Sequence, residues 1–233
     1  MQQPTWDQQR AEIEHYFDRT AVDAWSKLTS SEPVGRIRET VRAGRDRMRN
    51  TLLDWLPHDL TDKTLLDAGC GTGAFAVEAA KRGAHVIAID LSPTLIELAT
   101  ERLPREIGTG RIDFRVGDMS TVATEQFDHV VAMDSLIHYE SGDAITALTR
   151  IANNTRAQIL FTFAPRTRAL AVMHTVGKVF PKGNRSPAIQ PVAPARLWSA
   201  LDESPGLSRW RRERTERISS GFYTSQACEL VRV

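Results

Sequence analysis

LLDAGCGTGAFA, residues 65–76, decides the fold. The apolar run TLLDA (64–68) leads into Gly69, Gly71 and Gly73, and a helical pattern follows. Glycines in such a turn permit positive φ and let the backbone approach a ligand closely. A strand, a glycine loop and a helix in that order seat a ligand against the helix N-terminus, at the carboxyl end of the sheet. Outward from this loop, apolar runs recur at 85–90 (HVIAID), 112–116 (IDFRV), 127–133 (FDHVVAM) and 158–164 (QILFTFA). Helices are predicted between them at about 73–82, 94–103 and 143–152. Such alternation specifies a parallel sheet with helices on both faces.

On the C-terminal side, a helix predicted at about 168–180 carries Leu170, Met173, Val176 and Phe180. A loop rich in Pro, Lys, Arg and Gly (181–194) and a helix at about 194–203 follow. Two strands, about 209–218 and 221–232, joined by a tight turn near Ser219 to Gly221, suggest an antiparallel edge. The expected fold is therefore α/β, a doubly wound, mostly parallel seven-stranded sheet, with a lid insertion at about 166–194 after the fifth strand. Residues 1–60 read as an N-terminal helical cover and 61–233 as the main domain. In the cover, Ile13, Phe17 and Trp25 mark one helix, broken near Ser30 to Pro33. A second runs from about Val34 to Leu56, with Ile37, Val41, Gly44, Met48 and Leu52 along one stripe, and Pro57 stops it. Beside that stripe Arg38, Arg42, Arg45 and Arg49 form a basic one, read as a solvated face, as contacts to anionic ligand ends, or as a docking surface for an acidic partner or membrane.

The 233 residues fit one domain, or one with a small appendage. Lys plus Arg number 30 against 29 Asp plus Glu, and a net charge of +1 argues against a dedicated nucleic-acid binder. Cys70 and Cys228 form no CxxC pair, so no zinc motif or disulfide framework is visible and a reducing, cytoplasmic compartment fits. The first residues, MQQPTWDQQRAEIEHYF, lack the basic and apolar regions of a signal peptide. No run approaches 18 apolar residues, which leaves a peripheral membrane role open.

Three acids surround the loop. Asp67 stands two residues before Gly69, where it would repel a pyrophosphate but suit a ligand with an ammonium group. HVIAID ends in Asp90, placed to accept both hydroxyls of a ribose. Gly117, Asp118 and Met119 follow the third strand, where an acid can accept from an adenine amino group. Gly69, Gly71 and Ala74 also satisfy GxGxxA, so a dinucleotide site has to be weighed, although a lone match of that kind is weak. The combination of DAGCGTG, Asp90 and the Gly117–Asp118 pair resembles class I S-adenosylmethionine-dependent methyltransferases over about residues 62–164. That resemblance implies a cofactor site of Asp67, Gly69, Cys70, Gly71, Gly73, Asp90, Leu91, Asp118, Met119 and Met133, with S-adenosyl-L-methionine the methyl donor and S-adenosyl-L-homocysteine its product. Cys70 itself reads as a small residue fitting a tight turn.

The acceptor side begins at AMDSLIHYE (132–140), which has no Asn/Asp-Pro-Pro-aromatic loop of the kind that methylates base amines. YFDRTAVDAW (16–25), IRETVRAGRDRMR (37–49), MDSLIHY (133–139), FTFAPRTRALAVMHTVGKVFPKG (161–183) and SSGFYTSQACELV (219–231) resemble the magnesium-protoporphyrin IX O-methyltransferases, in their purple-bacterial form. This second resemblance implies methylation of one propionate of a magnesium porphyrin in bacteriochlorophyll or chlorophyll synthesis. It also implies magnesium carried by the substrate and, as a partner, the porphyrin-binding subunit of magnesium chelatase. A protein seated on the photosynthetic membrane would suit so sparingly soluble a substrate. His138 and Tyr139 are the first candidates for acceptor contacts and Tyr16 a weaker one; each also reads as a plain structural residue. Arg166, Arg168, Lys178, Lys182 and Arg185 are candidate clamps for the porphyrin carboxylates, while His174 reads as a tolerated polar residue on an apolar helix. A methyltransferase acting on another acid, a phenol or an amine, and a non-catalytic binding or scaffold protein, remain as rival readings.

Overall fold

The computed structural model describes residues 35–119, 125–166 and 189–233. The calls on Ile13, Tyr16, Phe17, Trp25, the helix at 168–180 with His174, Arg168, Lys178, Lys182 and Arg185 lie outside them.

Helix α1 (Arg36–Trp55) comes first. Leu56, ahead of Pro57, is already extended (φ −79°, ψ 157°), because a following proline disfavours helical backbone. Then come β1 (Thr64–Ala68), α2 (Ala74–Lys81), β2 (His85–Asp90), α3 (Pro93–Glu101) and β3 (Arg111–Val116). After β4 (Phe127–Ala132), a 3-10 turn (Leu136–His138) precedes α4 (Ser141–Asn153) and β5 (Thr155–Phe163). The chain continues through α5 (Pro194–Asp202), a 3-10 turn (Pro205–Leu207), β6 (Trp210–Ser220) and β7 (Tyr223–Arg232).

One seven-stranded sheet has the order β3-β2-β1-β4-β5-β7-β6. The first five strands are parallel, and β7 runs antiparallel between β5 and β6. Successive side chains of a strand point to opposite faces, and the sheet uses both. Leu65, Val86, Val131 and Leu160 face α1 and α2, meeting Met48, Leu52, Phe75 and Ala79. Leu66, Ile87, Val130 and Ile159 face α4 and α5, meeting Leu148, Ile151, Leu197 and Leu201. Burial on both faces explains why the central strands read as unbroken apolar runs. The outermost strand β6 carries Arg211, Arg212, Glu213 and Arg214, charges that discourage edge-to-edge pairing with another chain.

Three expectations are corrected. Ile37 does not join the buried stripe of α1: it lies in the first turn, 60% exposed. The fifth strand starts at Thr155, three residues before the apolar run, because the Thr155 hydroxyl bonds back to Ile151 O at 2.8 Å and Phe127 pairs with Thr155. The β6–β7 turn falls at Gly221 and Phe222, Gly221 having φ +56°, so the antiparallel pairing continues to Ser220 and Tyr223. Neither 3-10 turn was expected from periodicity, which a three-residue segment is too short to show.

Candidate active site

The strand order reverses between β1 and β4, and in open α/β sheets ligands bind outside the carboxyl ends at such a reversal. A cavity of about 460 Å³ opens there. Its floor is the glycine loop. Gly69 N–H and Cys70 N–H both donate to Ile89 O, at 2.8 and 3.0 Å, tying the loop to β2. Gly69 holds φ +81°, and a Cβ there would fall 2.4 Å from Ser135 Cβ, so only glycine lets β1 and β4 deliver their ends side by side. Gly73 (φ +76°) does not line the cavity; a Cβ there would meet the Phe114 ring at 2.8 Å, so the third glycine serves the packing of α2 on the sheet.

Asp90 ends β2. Gly71 N–H donates to its Oδ2 at 2.8 Å and Ser92 N–H to its Oδ1 at 3.0 Å. The Ser92 hydroxyl then caps α3 by accepting from Leu95 N–H at 3.2 Å, with Pro93 in the first helical turn. A third backbone N–H, that of Leu91, also bonds this carboxylate, and with about four acceptor sites on an ionised carboxylate the group keeps room for a ligand hydroxyl. Asp67 is 2% exposed, and its Oδ2 is buried with no hydrogen-bond partner. Burial, with Asp90 nearby, pushes its carboxyl up to about 7. Such an unsatisfied acceptor in a cavity wall calls for a cationic donor. The same burial and the same two carboxylates push the Cys70 thiol well above its ordinary value, which makes it a poor nucleophile.

Leu91, Met119 and Met133 line the cavity with Leu95 and Pro104, an apolar slot beside Asp90. Asp118 is buried but is not among the described lining residues, whereas Gly117 and Met119 on either side of it are. His138 and Tyr139, each 5% exposed, reach the cavity from the 3-10 turn after β4. Arg166 is exposed, its backbone N–H donates to Val192 O, and it is not among the described lining residues.

Part of the basic stripe and two residues that follow β4 also line the cavity. Arg42, Arg45 and Arg49 of α1 stand along one wall, which favours the ligand-facing reading of the basic stripe over the solvated one. Arg38, further up the helix, is exposed. Ser135, whose Oγ is buried with no hydrogen-bond partner, lines the cavity beside Gly69. Asp134 lines it too, in left-handed backbone with φ +54°.

Comparison with known proteins now bears on the chain. A relative from Rhodobacter capsulatus, magnesium-protoporphyrin O-methyltransferase, is 47% identical over 221 residues, spanning 94% of this chain and 95% of that protein. The chain belongs to the magnesium-protoporphyrin O-methyltransferase family. Residues 132–232 also match the family model for the C-terminus of magnesium-protoporphyrin IX methyltransferase, and residues 65–158 match a general methyltransferase domain. The chloroplastic magnesium protoporphyrin IX methyltransferase of Arabidopsis thaliana is 28% identical, covering 94% of this chain and 70% of that one. The solved magnesium protoporphyrin IX methyltransferase from Synechocystis PCC 6803 with bound SAH superposes with a TM-score of 0.84 at 25% identity, over 96% of this chain and all of that one.

Membership in the magnesium-protoporphyrin O-methyltransferase family resolves the ambiguity of the glycine loop. The orphaned Asp67 oxygen, the Asp90 carboxylate at the end of β2 and the apolar slot fit the ammonium, ribose and adenine of S-adenosyl-L-methionine. A family-level signal for Asp134 and Ser135 lay in MDSLIHY all along, but nothing in the spacing told which of its residues point inward. Tyr223, which reaches Asp134 from the far end of the chain, likewise lay inside a stretch that carries the family resemblance, SSGFYTSQACELV, but no spacing linked it to Asp134.

Proposed function

We propose that this chain transfers a methyl group from S-adenosyl-L-methionine to a propionate carboxylate of magnesium protoporphyrin IX, giving the monomethyl ester. The step belongs to bacteriochlorophyll or chlorophyll synthesis. The observation that carries it is the 47% identity to the R. capsulatus relative along almost both full lengths, with the cavity residues in place. When bound, the sulfonium supplies an activated methyl group. Asp67 holds the ammonium of the donor, Asp90 its ribose diol, and Leu91, Met119 and Met133 pack its adenine side, with Asp118 behind them. Gly69, Cys70 and Gly71 give the donor a close backbone floor, and Gly73 starts the helix beneath it.

A propionate titrates near ~4.3, as a glutamate does, so at neutral pH its oxygen is already the nucleophile and no general base is required. What the chain's residues supply is alignment of oxygen, methyl and sulfur, an effect that can reach several kcal/mol. His138 and Tyr139, on the acceptor side of the cavity, hydrogen-bond and orient the reacting carboxylate, and Tyr16 is a further candidate for that role. Arg168, Lys178, Lys182 and Arg185 are candidate clamps for the porphyrin's anionic edge. Magnesium enters with the substrate and needs no site of its own on the protein.

Delivery of so greasy a substrate suits the porphyrin-binding subunit of magnesium chelatase as a partner, and a peripheral seat on the cytoplasmic side of the photosynthetic membrane. Among the described residues no helix is long and apolar enough to cross a membrane. The test is a mass-spectrometric assay with S-adenosyl-L-methionine and magnesium protoporphyrin IX, run beside the metal-free porphyrin. A single added methyl, favoured by the magnesium form, is the expected result. Cofactor binding without methyl transfer to either porphyrin would discard the acceptor assignment, and absence of cofactor binding would discard the enzyme.

A further inference from the structure

Asp134 has an unusual set of contacts for a carboxylate in a cofactor cavity. Its Oδ1 accepts from the Ser225 hydroxyl at 3.0 Å and the Thr162 hydroxyl at 3.1 Å. Its Oδ2 accepts from the Arg45 guanidinium at 2.9 Å. The Tyr223 hydroxyl lies 3.2 Å from Oδ1 and 3.1 Å from Oδ2, so one proton straddles both. Its own N–H donates to Thr162 Oγ1 at 2.7 Å, which makes the threonine hydroxyl an acceptor and a donor to the same residue. The side chain is 5% exposed. Three donors and a shared fourth use up the acceptor capacity of the carboxylate. Asp134 therefore has nothing left to offer a ligand, although it stands between Met133 and Ser135 in the cavity wall.

The donors come from three different elements, none of them the strand that Asp134 follows. Thr162 is on β5, Tyr223 and Ser225 are on β7, Arg45 is on α1, and Asp134 itself follows β4. One anion thus fastens the end of β4 to two neighbouring strands and draws an arginine of the cavity wall onto them. The backbone it holds is left-handed, φ +54°, a conformation that a non-glycine residue keeps only when its surroundings over-determine it. That corner redirects the chain from β4 into the 3-10 turn that presents His138 and Tyr139. We infer that Asp134 is a positioning residue for methyl transfer, fixing the 133–139 turn and Arg45 of α1 in their places on the cavity wall without touching either ligand. Burial, reinforced by the Asp134 charge, pushes the Tyr223 hydroxyl well above its ordinary value, so it remains a donor at any working pH.

The inference rests on the methyl-transfer reading, and its test is arranged so that the two can fail separately. Asp134→Asn keeps the size and tolerates left-handed backbone. It replaces one acceptor oxygen by an NH₂ group that faces donors only. At a temperature where circular dichroism shows it folded, kcat should drop about ten-fold or more, given that a displacement of about 1 Å can remove ~100-fold. S-adenosyl-L-homocysteine affinity should change much less, because the Asp67 and Asp90 contacts are untouched. Amide exchange should also quicken over 133–139 and stay unchanged over β1. Wild-type kcat and unchanged exchange in folded Asp134→Asn would overturn the inference. Should that variant not fold, Tyr223→Phe removes a single proton from the same carboxylate; slower turnover with faster 133–139 exchange supports the inference, and no change in either overturns it. If the unaltered chain transfers no methyl, it is the methyl-transfer reading that has failed, and the exchange measurement decides the placement of Asp134 by itself.

Discussion

At the scale of single residues, the two acids of the donor site are expected to behave differently. On the proposed reading Asp90 accepts from the ribose of the donor, so Asp90→Ala should weaken S-adenosyl-L-homocysteine binding by about 1–3 kcal/mol, read by calorimetry. Asp67 has its carboxyl raised to about 7 by burial and by Asp90. Between roughly pH 4 and 7 the folded chain keeps a proton that the unfolded chain has lost, so stability without ligand falls as pH rises through that window and is flat above it. Binding of an ammonium-bearing ligand needs the ionised form, so affinity should run the opposite way, rising from pH 5 to about 7 and then levelling. Thermal unfolding and calorimetry across that range check both, and Asp67→Asn should lose both dependences. These two acids were legible in the sequence because a place at the carboxyl end of a strand constrains where a side chain points. Arg166 shows what sequence position alone leaves out: it follows β5 yet is exposed and is not among the described residues of the cavity wall.

Among the elements, α1 carries the least expected consequence. Gly44 sits mid-helix, where alanine would ordinarily be preferred by about 1 kcal/mol. A Cβ there, however, would lie 2.5 Å from Cδ1 of Tyr223, so the missing side chain is what lets α1 approach β7. Gly44→Ala should therefore destabilise the protein by about 1–3 kcal/mol despite its better propensity, seen as a lower urea midpoint with unchanged m. Because the same approach brings Arg45 to Asp134, the variant should also slow turnover. The helix itself was plain from the spacing of Val41, Met48 and Leu52, and the parallel strands from their apolar runs. The contact that gives α1 its role was not, because Gly44 and Tyr223 lie 179 positions apart and periodicity records only local order.

For the whole molecule, the end of the sheet away from the cavity is closed by a second buried carboxylate. Glu229 of β7 is 2% exposed and paired with Arg214 of β6, with Gln158 of β5 donating to it as well. Burial works to raise its carboxyl, but the bonds from Arg214 and Gln158 outweigh that and hold it below its ordinary value. Arg214 also donates to Trp55 O at 2.8 Å, so the network joins α1 to three strands. Arg214→Met leaves that carboxylate buried without its cation and should cost about 2–3 kcal/mol, less than the ~3–5 of a fully buried pair because Arg214 is half-exposed. The loss should appear as a lower Tm with donor affinity intact. Both carboxylate clusters depend on β7, which enters the sheet between β5 and β6 although it follows them in the chain. A ribosome makes β7 after every other described element, so a nascent chain displays the glycine loop and Asp134 long before Tyr223, Ser225 and Glu229 exist. A competent cavity in this sense waits on a late-made strand: a chain stalled short of residue 223 would hold the glycine loop and its acids but lack the strand that fixes Asp134 and the turn after β4.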